Sequence, residues 1–166
     1  MLETRRCLLR APCADDRDML LRLFTDSVVR RYLGGVLSAD RAQARISDLF
    51  AEASSTWVVV PKHEPTLSVG LVRLHPAHDG VETELSYALL PEVFGQGLAT
   101  ETVGCIVHHA FDRGGISRLI AETQSANKAS CQLLERLSFR FFKETMRFDA
   151  RQTIYVHDGH SRNDAW

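Results

Sequence analysis

One stretch constrains this chain more than any other: Leu89-Leu90-Pro91-Glu92-Val93-Phe94-Gly95-Gln96-Gly97-Leu98-Ala99-Thr100. Its residue types predict the end of a strand, a tight glycine turn and the start of a helix. Pro91 has a fixed φ and no N–H to give to a ladder, so the strand stops before it. Gly95 and Gly97 let the backbone fold tightly. The first N–H groups of the helix that follows have no acceptor within the helix, and they lie at the positive end of its dipole. Such an arrangement binds an anion, most often a phosphate.

The segments before the turn read as follows. Residues 4–10 form a first strand, ended by Ala11-Pro12. Asp15 or Asp16 caps a helix carrying Met19, Leu20, Leu23 and Phe24 at helical spacing. A short helix covers 26–33 and stops at Gly34-Gly35, and Ser38 caps a third helix over 39–53. The pattern then becomes β-rich. Strands 56–60 and 67–74 form a hairpin, and a third strand, 81–90, completes an antiparallel meander. On this third strand Leu85, Tyr87 and Leu89 share one face, while Glu84, Ser86 and Ala88 share the other.

After the turn, a helix over 97–111 leads to a strand at 117–123. Strand, helix and strand form one crossover, which sets 117–123 parallel to 81–90. A helix over 127–137 and an antiparallel pair, 139–148 and 152–157, close the chain. The expected fold is α/β (α+β), a mixed, mostly antiparallel sheet of about seven strands with helices on both faces. One domain is expected over 1–158, with a polar tail at 159–166.

Charge and residue spacing exclude several functions. The formal net charge is −1, so no basic field draws the chain to nucleic acid or an anionic membrane. No apolar run approaches the ~18 residues of a membrane span. Cys7, Cys13, Cys105 and Cys131 include no CxxC pair, and no apolar leader follows Met1, so reduced thiols in a cytoplasmic protein are expected. His108 and His109 face different sides of a helix. His75 and His78 fall in a predicted turn. No HExxH spacing occurs, so no metal site is expected.

Two readings of the glycine turn compete. In a dinucleotide fold, Gly95-x-Gly97 would bind a pyrophosphate and Glu122 would hold a ribose. Against this, Thr100 stands where the third glycine belongs, and hairpins rather than crossovers precede the turn. The second reading is a resemblance. Phe94-Gly95-Gln96-Gly97-Leu98-Ala99 is similar to the Arg/Gln-x-x-Gly-x-Gly/Ala loop of the GCN5-related N-acetyltransferases, with Phe94 in place of Arg or Gln. The element order resembles that family over nearly the whole chain. Three further features resemble its RimJ/RimL-like branch, which acetylates ribosomal-protein N-termini: the opening Leu2–Pro12, Thr100-Glu101, and Asn127-x-x-Ser130 followed by Ser138-Phe139. That branch has Gly-Phe where this chain has Ser138-Phe139.

The resemblance implies acetyl-CoA as acetyl donor, with its pantetheine between strands 81–90 and 117–123. It implies that the backbone N–H groups of Gly95, Gln96, Gly97, Leu98, Ala99 and Thr100 hold the pyrophosphate. A backbone N–H near Leu89 or Leu90 would polarise the thioester oxygen, and Asn127 would contact the cofactor. Glu84 is the candidate base; the alternative is a surface or ion-paired strand glutamate. Many relatives carry a tyrosine seven residues after the asparagine, where this chain has Leu134. Ser130 is then the candidate stabiliser of the leaving thiolate; the alternative is a hydroxyl bonded back to its own helix. The implied reaction is direct attack by a primary amine. A protein N-terminal amine is the favoured acceptor, with a small-molecule amine or a non-catalytic acyl-CoA-binding module as alternatives. The oligomeric state is open, a homodimer included.

Overall fold

The computed structural model describes residues 1–78 and 80–159. Eight strands form one sheet: β1 (Leu2–Glu3), β2 (Cys7–Arg10), β3 (Thr56–Pro61), β4 (Gly70–Pro76), β5 (Thr83–Leu89), β6 (Leu119–Gln124), β7 (Arg140–Arg147) and β8 (Ala150–His157). Their order is β1-β2-β3-β4-β5-β6-β8-β7, and every pairing is antiparallel except β5 with β6. One strand more than expected arises at the start. The predicted 4–10 strand is a tight β1–β2 hairpin, closed where the Thr4 Oγ1 accepts the Cys7 N–H at 2.9 Å. No glycine or proline marks that turn, because a threonine side chain makes it.

The helices are α1 (Arg17–Thr25), α2 (Ala39–Ala51), α3 (Leu98–Asp112) and α4 (Lys128–Arg136). The predicted 26–33 helix is only a 3-10 turn, Val29–Tyr32, in which Asp26 Oδ1 accepts the N–H groups of Val28 and Val29. On one sheet face, Leu20, Leu23, Ile46 and Leu49 of α1 and α2 pack on Val58, Val60 and Leu71. On the other, Val103 and Ile106 of α3 and Leu133 and Leu134 of α4 pack on Val59, Val72, Leu85 and Leu89. Along α3, Thr102, Val103 and Val107 are buried, while Cys105 and His109 are half-buried. No helix among the described residues is long and apolar enough to cross a membrane. The predicted tail lies outside the described residues beyond Gly159.

The position of the site follows from one irregularity. β4 and β5 pair over seven residues, from Gly70↔Leu89 to Pro76↔Thr83. Gly70 allows the closest part of that approach, since a Cβ there would lie 2.8 Å from the Ala88 carbonyl oxygen and from Leu89 Cγ. β5 and β6 pair only at Thr83↔Leu119 and Glu84↔Ile120. From Leu85 onward the two strands part, leaving a wedge in the middle of the sheet. The wedge opens toward the glycine turn.

Candidate active site

The turn is built as its residues require. Pro91–Val93 form a 3-10 turn, and the Phe94 N–H closes on the Pro91 carbonyl at 3.0 Å. Gly95 and Gly97 follow at φ 72° and 74°, the left-handed region that disfavours any Cβ. Gly97 is the N-cap of α3, and among the described residues no side chain caps this helix. Gln96 turns its amide back onto the Glu92 carbonyl at 3.0 Å, so its side chain serves the turn and its backbone is left for a ligand. Among the described residues, no protein acceptor takes the N–H groups of Gly95 to Thr100. An uncapped fifteen-residue helix behind two left-handed glycines fits a pyrophosphate.

The end of β5 offers one further donor. The Leu90 N–H is spent on the Val69 carbonyl at 2.8 Å. Antiparallel alternation then turns the Leu89 N–H toward β6, which has already left the ladder. Of the two expected backbone donors, Leu89 is therefore the one that faces the wedge.

Across the wedge, Asn127 caps α4, its Oδ1 accepting the Ser130 N–H at 3.2 Å. The cap uses the oxygen of Asn127 and leaves its side-chain amide NH2 for a ligand. Ser130 does not bond back to its own helix through its hydroxyl. Its Oγ lies 2.7 Å from the Tyr87 hydroxyl on β5, so the two hydroxyls tie α4 to β5. Burial pushes the Tyr87 phenol up to about 12, with the Ser130 hydrogen bond pulling the other way. Leu134 is buried in the core and offers no hydroxyl. Tyr87 escaped the sequence reading because it shares a face with Leu85 and Leu89. The available signal was that a buried tyrosine needs a partner for its O–H.

The opposite sheet face is polar at this point. Glu84 lies directly across from His75, which belongs to β4 rather than to a turn. The His75 ring nitrogens lie 3.0 Å from Ser86 Oγ and from the Pro76 carbonyl oxygen, and burial lowers its pKa, so it is neutral near pH 7. One strand over, Glu122 Oε2 accepts from Arg147 Nη1 at 2.6 Å, while its Oε1 is buried with no hydrogen-bond partner among the described residues. Its side chain is only 10% exposed. Glu122 is thus tied to β7, not presented to a ribose. With a single parallel strand pair in the sheet, the dinucleotide reading of the turn falls. No group of three or more His, Cys, Asp or Glu among the described residues is arranged to hold a metal.

Residues 6–140 match the family model described as "Acetyltransferase (GNAT) domain". That match spans most of the chain, and the protein belongs to the GNAT acetyltransferase family. It is an N-acetyltransferase whose acetyl donor is acetyl-CoA. A Bacillus subtilis relative named "Uncharacterized N-acetyltransferase YoaA" is 27% identical over 146 residues, covering 84% of this chain and 82% of the relative. A GNAT acetyltransferase from Bacillus anthracis superposes with a TM-score of 0.84 at 18% identity, covering 96% of this chain and 99% of that one. Spermidine N-acetyltransferase from Vibrio cholerae, solved with CoA and spermine, gives 0.77 at 16% identity over 92% and 95% of the two chains. RimL, a ribosomal L7/L12 α-N-protein acetyltransferase solved with CoA, gives 0.71 at 16% identity over 93% and 95%.

Proposed function

We propose that this chain acetylates a primary amine by direct attack on the thioester, without a covalent enzyme intermediate, and that the acceptor is a protein N-terminal amine. The observation that carries the reading is the parted β5–β6 pair, with an open helix N-terminus at its mouth and the Tyr87–Ser130 contact tying β5 to α4. Acetyl-CoA supplies an activated acetyl group on a thiol of fair leaving ability. The residues of this chain supply the rest. Backbone N–H groups from Gly95 to Thr100 and the amide of Asn127 hold the donor. The Leu89 N–H points to where the carbonyl oxygen gains charge. The Ser130 hydroxyl stabilises the departing sulfur, and Glu84 on the polar face accepts the proton of the incoming ammonium.

The choice of an N-terminal amine rests on Asn127-x-x-Ser130, on Thr100-Glu101 and on the opening strand, all similar to the ribosomal N-terminal branch. A second acceptor class is a polycationic amine, the kind of substrate named for the spermidine acetyltransferase of the same fold. Thiol release from acetyl-CoA, measured with N-terminal peptides, polyamines and aminoglycosides side by side, tests both. Turnover is expected with peptides bearing a free N-terminus and lost when that terminus is blocked. Preference for spermidine over every peptide would move the assignment to polyamines. Tight CoA binding with no turnover on any amine would make the chain a binding module.

A further inference from the structure

Glu101 poses a problem for the loop it follows. It lies in the first turn of α3, beside the N–H groups that would receive a pyrophosphate. A free carboxylate there would repel that ligand and compete with it for the same donors. In this structure Glu101 is turned away and fully engaged. Its Oε1 accepts from the Thr4 hydroxyl and from the Arg6 N–H, each at 2.7 Å, and its Oε2 accepts from Arg6 Nε at 2.7 Å. Burial alone would raise the Glu101 pKa, yet these donors outweigh it and hold the carboxyl below its ordinary range.

The same arginine grips the loop. Arg6 Nη1 donates to the Gln96 carbonyl at 2.8 Å. In a trans peptide the C=O of one residue and the N–H of the next point in opposite directions. Fixing the Gln96 carbonyl on the Arg6 side therefore turns the Gly97 N–H to the other side of the loop. Arg6 Nη2 lies 3.5 Å from where a Gly97 Cβ would be, so the guanidinium backs onto the glycine itself. The loop lacks any cation of its own, because its first position is Phe94, which is 52% exposed. Arg6 brings one from the start of the chain, and Thr4, which closes the β1–β2 turn, donates to the same Glu101 carboxylate.

We propose that Thr4, Arg6 and Glu101 form a latch that aims the pyrophosphate-binding N–H groups and keeps the Glu101 charge off them. Arg6 is a positioning residue that acts through the Gln96–Gly97 peptide and Glu101. The proposal rests on the reading of Gly95 to Thr100 as the pyrophosphate cradle, and its test separates the two.

Binding of CoA and of pantetheine, which lacks the pyrophosphate, is measured by calorimetry on the wild type, R6Q, E101Q and R6Q/E101Q, with unfolding midpoints recorded alongside. R6Q is expected to weaken CoA binding about tenfold while pantetheine binding changes less than about twofold. R6Q/E101Q should recover much of the loss, since removing the carboxylate removes the repulsion that Arg6 had neutralised. R6K keeps the charge but not the fork, so it should fall between the wild type and R6Q; if R6Q does not fold, R6K against R6K/E101Q gives the same comparison. Unchanged CoA affinity in R6Q, equal weakening of CoA and pantetheine, or no recovery in the double variant would each overturn the latch. Equal affinity of the wild type for CoA and pantetheine would instead remove the cradle itself, and the latch with it.

Discussion

The hydroxyl of Tyr87, on the stretch of β5 that β6 has left, lies 2.7 Å from the hydroxyl of Ser130 on α4. With its pKa pushed up to about 12, Tyr87 stays protonated throughout any ordinary assay. If its O–H donates to Ser130 Oγ, the serine proton is left to point into the wedge, polarised by the bond it accepts. On the proposed mechanism this pair, one hydroxyl from β5 and one from α4, stands in for the tyrosine that the family resemblance places seven residues after the asparagine.

This pairing predicts that S130A lowers kcat about tenfold with little change in KM for acetyl-CoA, and that Y87F does nearly the same. The two act as a unit, so the double variant should be no slower than S130A within about twofold. Steady-state thiol release measures all three. A Y87F enzyme with wild-type kcat would reduce Tyr87 to a packing residue, and full additivity would show that the two hydroxyls work separately.

Glu84 carries the second prediction. An acceptor amine of pKa roughly 8–10 is mostly protonated at pH 7, and by pH 9.5 one at the lower end of that range is largely neutral. E84Q should therefore lose about a hundredfold in kcat/KM near pH 7 and much less at high pH, where no base is needed. The check is a pH–rate profile of E84Q beside E122Q. The same pH-dependent loss in E122Q, with none in E84Q, would move the proton acceptor to the glutamate whose Oε1 is buried without a partner.

What could be read from the sequence was local. Gly95 and Gly97 announce left-handed backbone, Pro91 ends a strand, and the alternation of residues 84–89 assigns two faces; each depends on chemistry within a few residues. What could not be read depends on distant contacts. The β1–β2 hairpin exists because a threonine side chain replaces a turn residue. The Arg6 contact with Glu101 spans 95 positions, and Glu122 meets Arg147 across the width of β8. Tyr87 looked like a core residue because its face is the core face, and only the position of Ser130 makes it more. His75 looked like a turn residue because Pro76 follows it, but Pro76 is the last residue of β4, where losing a donor costs little.

A third prediction concerns acid stability. Asp16 is 1% exposed, and its carboxylate accepts from Arg10 at 2.7 and 2.9 Å and from the Cys13 N–H at 2.8 Å. Burial raises its pKa, but the hydrogen bonds from Arg10, Cys13 and Ser68 outweigh that, and the net shift is downward. A carboxyl with a depressed folded pKa stabilises the fold fully above its unfolded value, about 3.9, and loses that contribution as pH falls through the folded value. D16N should cost about 3 kcal/mol at pH 7, because Arg10 loses its charged partner. Below about pH 4 the gap between D16N and the wild type should narrow. Urea unfolding at pH 7 and pH 3 measures it, and a constant gap would assign the cost to packing alone.

Gly70 and Gly97 make the last prediction, because they are glycines for different reasons. At Gly70 the limit is space: a Cβ would strike the Ala88 carbonyl oxygen and Leu89 Cγ at 2.8 Å, both held in the sheet. G70A should cost about 1–3 kcal/mol through overpacking, and with roughly 2–4 °C per kcal/mol for a chain of this size the melting point should drop clearly. At Gly97 the limit is φ, 74°, with only the end of Arg6 nearby. G97A carries about 1–2 kcal/mol of backbone strain, which an exposed loop relieves by rotating its peptides out of alignment. Its expected defect is therefore a CoA dissociation constant raised about tenfold with a melting point within about 2 °C of wild type. Calorimetry and thermal unfolding on both variants separate the cases. A G97A protein that binds CoA normally would show that the alignment of the Gly97 N–H does not limit cofactor binding.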